Sequence, residues 1–446
     1  MSNRVLVIDN GAHTLKIAHA PATGSEPAPI PVVVPNQVGK TKSEKKYIVA
    51  DELNKPQHAT EIKLRGPMEK GYITNWSVQK EIWDHVFKME ELKVKPADTS
   101  LLLTEAPFDL EEIRKSLYET VYEQYKFKSL CLASPTTLAL THFKASEPPS
   151  SPFISSPCHL VVDCGYSFTH VVPHLLNNRL NYAIKRFQVG GKLMTNYLKE
   201  IVSFRYWDMM HETRLLNTIK ERVCYVSHDF LGDLAKCQPK PKESALAIDY
   251  VLPDYINDNT TGYIKNKAYF PQSSDDSTSS MNNVQQQKQQ QQQTSDQQQQ
   301  PDKKDDEQMK EQKDEEQILT LVNERFSVPE LLFNPSDIGL NQAGLAESIV
   351  QSINSTNINL HQPLYSNILL IGGSTRLPGL KDRLYQELRA MTPDHLTVKI
   401  YTPEDPVLAP LQGGLRFAQQ SDFHRYTVTK KEYEEHGYVL CNRRFY

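Results

Sequence analysis

Two stretches of this chain carry one hairpin pattern, and together they restrict the fold more than any other feature. The first, from Val5 to Ala18, opens with the apolar run Val5-Leu6-Val7-Ile8, reaches Asp9-Asn10-Gly11 and continues through alternating residues. The unbroken run predicts a strand buried on both faces, and the Asn-Gly pair predicts a tight turn. The second runs from Leu160 to Val172 and carries Asp163-Cys164-Gly165 after its apolar run. Setting Asp9 on Asp163 places Gly11 on Gly165 and Lys16 on His170. One Asp-x-Gly tip is an ordinary turn whose acid bonds its own amides. Two that align through whole hairpins predict a duplicated unit.

Such a pair is suited to holding phosphate. A glycine-containing tip turns successive backbone N–H groups to one side and favours anions. A hydrated Mg²⁺ binds through one or two acids plus phosphate oxygens, so Asp9 and Asp163 are candidate metal ligands. Lys16 would stand near a β- or γ-phosphate. A third glycine site, Gly372-Gly373-Ser374, follows the apolar run Ile368-Leu369-Leu370-Ile371 and precedes a helix expected from Leu380 to Arg389. A Gly-Gly corner there admits a ligand close to the backbone, or simply makes a tight strand–helix junction.

Other segments read as strand followed by helix, which argues an α/β fold. A strand is expected at Leu101–Thr104, and helices at Val78–Lys88 and at Leu110–Tyr125, the latter opened by Asp109. Further helices are expected at Leu193–Val202, after Gly190-Gly191, and at Glu212–Val226, which carries Lys220-Glu221. From 272 to 316 glutamine tracts with Ser, Asp, Lys and Glu replace the apolar pattern. That composition predicts a disordered insertion in a surface loop. The net charge of −4 and pI of 6.4 give no global pull toward nucleic acid or a membrane. The sequence shows no membrane span and no secretory signal. None of the six cysteines forms a C-x-x-C pair, so they are expected to be reduced core residues of a cytosolic or nuclear protein.

The glycine sites in this order, with several longer stretches, resemble the actin family. These stretches are V-I-D-N-G, G-Y-I-T-N-W, L-L-T-E-A-P, D-C-G-Y-S-F-T-H, K-E-R-V-C-Y-V, N-E-R-F-S-V-P-E-L-L-F-N-P-S-D-I-G, I-G-G-S-T-R-L-P-G and T-K-K-E-Y-E-E-H-G. The segments around V-G-G-K-L-M-T-N-Y-L-K-E-I-V-S-F-R and A-I-D-Y-V-L-P-D-Y depart from actin. They resemble the sixth, nuclear class of actin-related proteins, subunits of a remodeller that exchanges a histone variant into nucleosomes. The resemblance implies an actin-like ATPase fold: duplicated ribonuclease-H-like halves, 1–145 and 146–446, around a nucleotide cleft, with the C-terminal segment returning to the first half. It implies ATP or ADP with Mg²⁺ at Asp9, Asn10, Gly11, Lys16, Asp163, Gly165, His170, Gly191, Lys220, Glu221, Gly372, Gly373 and Ser374. His170 is either a relay or a histidine bonded to a neighbour.

The departures from actin at that site imply loss of turnover. Ala12-His13 stands where actin has Ser-Gly. Tyr166 replaces an aspartate that supports the metal shell, and Pro135 the glutamine that positions the attacking water. Arg376 and Leu377 replace residues that pack on adenine in actin, and a lysine of actin's nucleotide pocket aligns near Pro406. Water-positioning groups act by placement, so nucleotide binding is expected to be weakened or retained, with hydrolysis absent or very slow. The implied role is a structural subunit contacting the remodeller's motor ATPase and a small zinc-finger subunit, and the nucleosome through the complex. Nuclear location follows from the resemblance, with cytoplasm as the alternative. No membrane or sequence-specific nucleic-acid binding is expected. Competing readings are an active ATPase of the sugar-kinase or chaperone type, and a filament former.

Overall fold

The computed structural model describes residues 4–21, 29–41, 47–55, 62–238, 243–254, 259, 261–266, 269–271 and 316–445. Of the glutamine-rich insertion at 272–316, all but Glu316 lies outside the described residues. The chain forms two compact units. The first comprises Met1–Glu200, Leu331–Arg376 and Leu384–Tyr446, and the second Ile201–Glu330 and Leu377–Arg383.

In the first unit the hairpin from Arg4 to His19 pairs Arg4–Asn10 with Thr14–His19, in a register that sets Asp9 against Lys16. Arg4–Asn10 also pairs in parallel with Thr99–Thr104, which pairs in parallel with Ser129–Ala133. Val32–Pro35 and Val428–Thr429 extend the sheet at its two edges. The second hairpin repeats this plan. Cys158–Cys164 pairs antiparallel with Thr169–Leu175, setting Asp163 against His170, and in parallel with Ile368–Ile371, which pairs with Ile400–Tyr401. The duplication expected from the two Asp-x-Gly tips is therefore present in both topology and register.

Two helices join the sheets. Pro135–Ser146 begins at Pro135, whose missing N–H costs nothing at a first helical position. It packs on Ala409–Ala418. Leu138 and Leu411 enter a core with Val5, Val7 and Leu102 of the first sheet. Ala139, Leu140, Phe143 and Ala409 enter another with Val161, Leu369 and Ile371 of the second. Gly413 makes this possible: a Cβ there would lie 1.9 Å from the Leu138 carbonyl oxygen.

The helix expected from Leu110 to Tyr125 is shorter and changes type. Its regular part is Glu111–Tyr118, followed by a π-helical turn over Glu119–Gln124. The wider turn lets Tyr118, Val121 and Tyr122 all bury against the first sheet. Leu110, not Asp109, is the cap; the Asp109 carboxylate accepts a bond from the Leu110 amide at 2.9 Å. The helix expected over Glu212–Val226 spans Thr213–Val223, because Cys224 turns to extended backbone. All six cysteines are buried and free, as their scattered apolar settings predict. No described helix is long and apolar enough to cross a membrane.

In the second unit the N-E-R-F stretch is an internal brace. Arg325 is fully buried and donates to the carbonyls of Val223 at 3.0 Å, Leu246 at 2.7 Å and Tyr269 at 2.5 Å. Its guanidinium also lies over the rings of Tyr225 and Phe270, at 5.0 and 5.3 Å. The buried Glu324 carboxylate accepts from Arg205 and from the Val322 amide. An Arg325→Met variant would leave three carbonyls unpaired and the unit destabilised by roughly 3 kcal/mol or more. A urea titration showing a wild-type midpoint for that variant would refute this account.

His159 and His174 face each other across the second hairpin and are fully buried. Burial pushes the His174 ring down to about 3, with the Val172 carbonyl opposing and nearby positive charges assisting. The unfolded chain would protonate near the ordinary value of 6.5. The stabilising contribution of the neutral ring is thus complete above that value and is lost as the pH falls toward the folded value. Between pH 7 and 4 the wild type is expected to lose up to roughly 3 kcal/mol more than His174→Gln. Parallel acid-side slopes in urea titrations of the two proteins would contradict it.

Candidate functional site

The first hairpin tip is held by a chain of buried and half-buried polar side chains. Asp9 Oδ2 accepts from Lys16 Nζ at 2.9 Å, and Asp9 Oδ1 from Thr104 Oγ1 at 2.8 Å. The Asn10 amide donates to Thr104 Oγ1, and the Asn10 side chain to Gln79 Oε1. Gln79 in turn donates to Asn36 Oδ1. Asn36 returns to the tip twice, giving its side-chain N–H to the Gly11 carbonyl and its amide to the His13 carbonyl. The Trp83 indole completes the chain on Asn10 Oδ1 at 3.4 Å.

Thr104, Gln79, Asn36 and Trp83 were not among the residues the sequence marked. Gln79 does carry a signal: it shares the 79, 82, 83, 86 stripe with Ile82, Trp83 and Val86, all buried. A polar residue on a buried helical stripe must find partners. Asn36 carries no comparable mark, because its partners are fixed only when Val32–Pro35 joins the sheet.

The second tip is held mainly by backbone. The Gly165 amide donates to the Phe168 carbonyl, and the Gly191 amide to Gly165. Gly191 opens the helix Gly191–Arg205. Ser374 Oγ lies 3.5 Å from the Gly165 carbonyl. Gly372 has φ +93°, and a Cβ there would lie 2.5 Å from the Cys164 carbonyl and 2.8 Å from Asp163 Oδ1. Only glycine fits beside that carboxylate. The third glycine site, with Gly373 and Ser374, thus abuts the second acid.

Burial pushes the Asp163 carboxyl up to about 7; Asp9 adds in the same direction and Lys16 opposes. His170 is buried, and burial, then Arg186, lowers its ring to about 4. Its Nε2 has no hydrogen-bond partner among the described residues. Neutral at physiological pH, this ring can accept or donate a hydrogen bond but carries no charge.

The structure therefore brings together Asp9, Asn10, Gly11, Lys16, Asp163, Gly165, His170, Gly191, Gly372, Gly373 and Ser374 within one unit. Lys220 and Glu221 belong to the second unit. There Lys220 Nζ donates to Asn217 Oδ1, and Asn217 donates to Glu221. Arg376 pairs with Asp405 at 2.7 Å.

As a seat for a divalent cation and phosphate, the acids fit. Asp9 opposes ionisation of the Asp163 carboxyl, and a cation between the two acids would relieve that. Among the described residues no group of three or more His, Cys, Asp or Glu forms a cage, so a cation would rest on these acids and on phosphate oxygens. The tips fit poorly. The His13 and Tyr166 rings stack across them, with centroids 4.7 Å apart and planes at 28°. Replacing Gln79 by Leu would strand Asn10 and Asn36, both buried polar groups. Gln79→Leu is therefore expected to lower stability by about 2 kcal/mol or more. An unchanged thermal midpoint would show that the polar chain does not fasten the tip.

Comparison with known proteins supports the lineage. The family model described as Actin matches residues 1–446. Actin-related protein 6 of Dictyostelium discoideum is 54% identical, covering 100% of this chain and 95% of that relative. Actin-related protein 6 of Arabidopsis thaliana is 41% identical with full coverage of both, and that of Drosophila melanogaster 33%, also with full coverage. With its two matched hairpins joined in the expected α/β plan, the chain belongs to the actin family, among the actin-related proteins of the sixth class.

Proposed function

We propose that the chain is a non-catalytic structural subunit of a histone-variant-exchanging chromatin remodelling complex in the nucleus. It carries docking surfaces for the motor ATPase and a small zinc-finger subunit, and engages the nucleosome through the assembled complex. Its two-acid site holds ATP or ADP with Mg²⁺ weakly and turns it over slowly or not at all.

The observation that carries this reading is on the segment from Ser203 to Thr213, one of the places where the sequence departs from actin. Phe204 is 92% exposed, Trp207 42% and Met210 41%. Large apolar side chains so clustered in sequence mark a surface that a partner covers. The same segment is firmly anchored beneath: the Met209 amide donates to Ser203 Oγ, and Arg205 to Glu324 and Asn323. A rigid base under exposed aromatics suits docking rather than catalysis. At the nucleotide site, Pro135 opens a helix where actin's water-positioning glutamine would stand, which supports loss of turnover.

The test is native purification of the tagged full chain with identification of co-eluting proteins, nucleotide extraction and a hydrolysis assay. The wild type should bring down the motor and zinc-finger subunits and hydrolyse ATP far more slowly than actin, or not at all. The double variant Phe204→Ser, Trp207→Ser should lose them, at a cost of about 2 kcal/mol or roughly thirtyfold in affinity, while its melting temperature holds. Undiminished co-elution would overturn the docking assignment, and turnover at actin-like rates would overturn the non-catalytic one.

A further inference from the structure

We infer that the His13–Tyr166 stack is a plug that shuts the terminal phosphate of a nucleoside triphosphate out of the site, so that the site selects a nucleoside diphosphate. This rests on reading the two-acid site as a phosphate site and deepens it by naming which phosphate chain it accepts.

The two rings come one from each hairpin tip, at the positions where backbone N–H groups would otherwise face an anion. Stacking at 4.7 Å is direct ring-to-ring contact, so no phosphate group lies between the tips while it persists. The rings are not loosely placed. The backbone under His13 is fixed by the Asn36 amide bond to the His13 carbonyl, at 2.9 Å. The backbone under Tyr166 is fixed by the Lys192 amide bond to the Tyr166 carbonyl, at 2.8 Å. Both rings are partly buried.

In the same hairpin as His13, Lys16 is engaged with Asp9 at 2.9 Å, and Thr104 with the other oxygen of that acid. The stack leaves Asp9 and Asp163 in place and fills only the space between the tips that would wrap a terminal phosphate. A diphosphate can be held through a cation at Asp9 and Asp163 without parting the rings. A triphosphate must break the stack or leave its last phosphate without amide partners, and either costs affinity.

The experiment is equilibrium binding of Mg-ADP and Mg-ATP to the purified full chain by isothermal titration and by ligand-induced shift of the melting temperature. It compares the wild type with His13→Gly/Tyr166→Gly and with the milder Tyr166→Ser. The wild type is expected to favour ADP by roughly tenfold or more, and opening the stack to raise ATP affinity by about that factor while ADP affinity stays within about threefold. An ADP-to-ATP ratio unchanged in Tyr166→Ser, or a wild type that binds ATP as tightly as ADP, would overturn the plug. Binding of neither nucleotide to any of the three proteins would overturn both the plug and the phosphate-site reading beneath it. The wild-type ratio is informative by itself should the double variant fail to fold.

Discussion

The first unit depends on the close approach of two helices, Pro135–Ser146 and Ala409–Ala418, at Leu138 and Gly413. A side chain at Gly413 would overlap the Leu138 carbonyl, so the helices meet at a distance only glycine allows. That contact places one pair of helices against both sheets at once, feeding Leu138 and Leu411 to one core and Phe143 and Ala409 to the other. With the sheets joined this way, two hairpins far apart in sequence bring their tips together. The influence of Asp9 on the Asp163 carboxyl, and the stacking of His13 on Tyr166, both follow from that joint.

The two tips are supported by different means. The first depends on side chains, a buried relay from Asp9 through Thr104, Asn10, Gln79 and Asn36 back to Gly11 and His13. The second depends on backbone bonds among Gly165, Phe168, Gly191 and Tyr166. Buried polar relays are costly when half satisfied and rigid when complete. Here the relay is closed, which keeps the acid, its lysine and the ring at residue 13 in fixed relation. Rigidity of this kind serves a scaffold as well as it serves an enzyme, so the polar chain alone does not decide between them. The ring stack across the tips does bear on that choice.

Several stretches that carry the family resemblance hold the fold together. Asn75 in G-Y-I-T-N-W caps the helix Trp76–Lys88. Glu105 in L-L-T-E-A-P takes a two-pronged bond from Arg114. Thr429 and Glu432 in the closing stretch form a capping box, and Arg325 braces three carbonyls. These are demanding local geometries that few residue types satisfy. That explains why they stay readable in the chain.

The amino-acid order alone determined the paired hairpins, the acid at each strand end and the α/β alternation, because strand burial and turn chemistry are local and leave a period in the sequence. It also marked the positions at which the hairpin tips depart from actin. It marked His13 and Tyr166 separately but could not show that they touch, since they are more than a hundred residues apart. Nor could it assign Asn36 a role, find the π turn after Tyr118, or place Lys220 and Glu221 in a different unit from the hairpins. Those outcomes were set by which surfaces pack, and packing is a property of the assembled cores rather than of any one stretch.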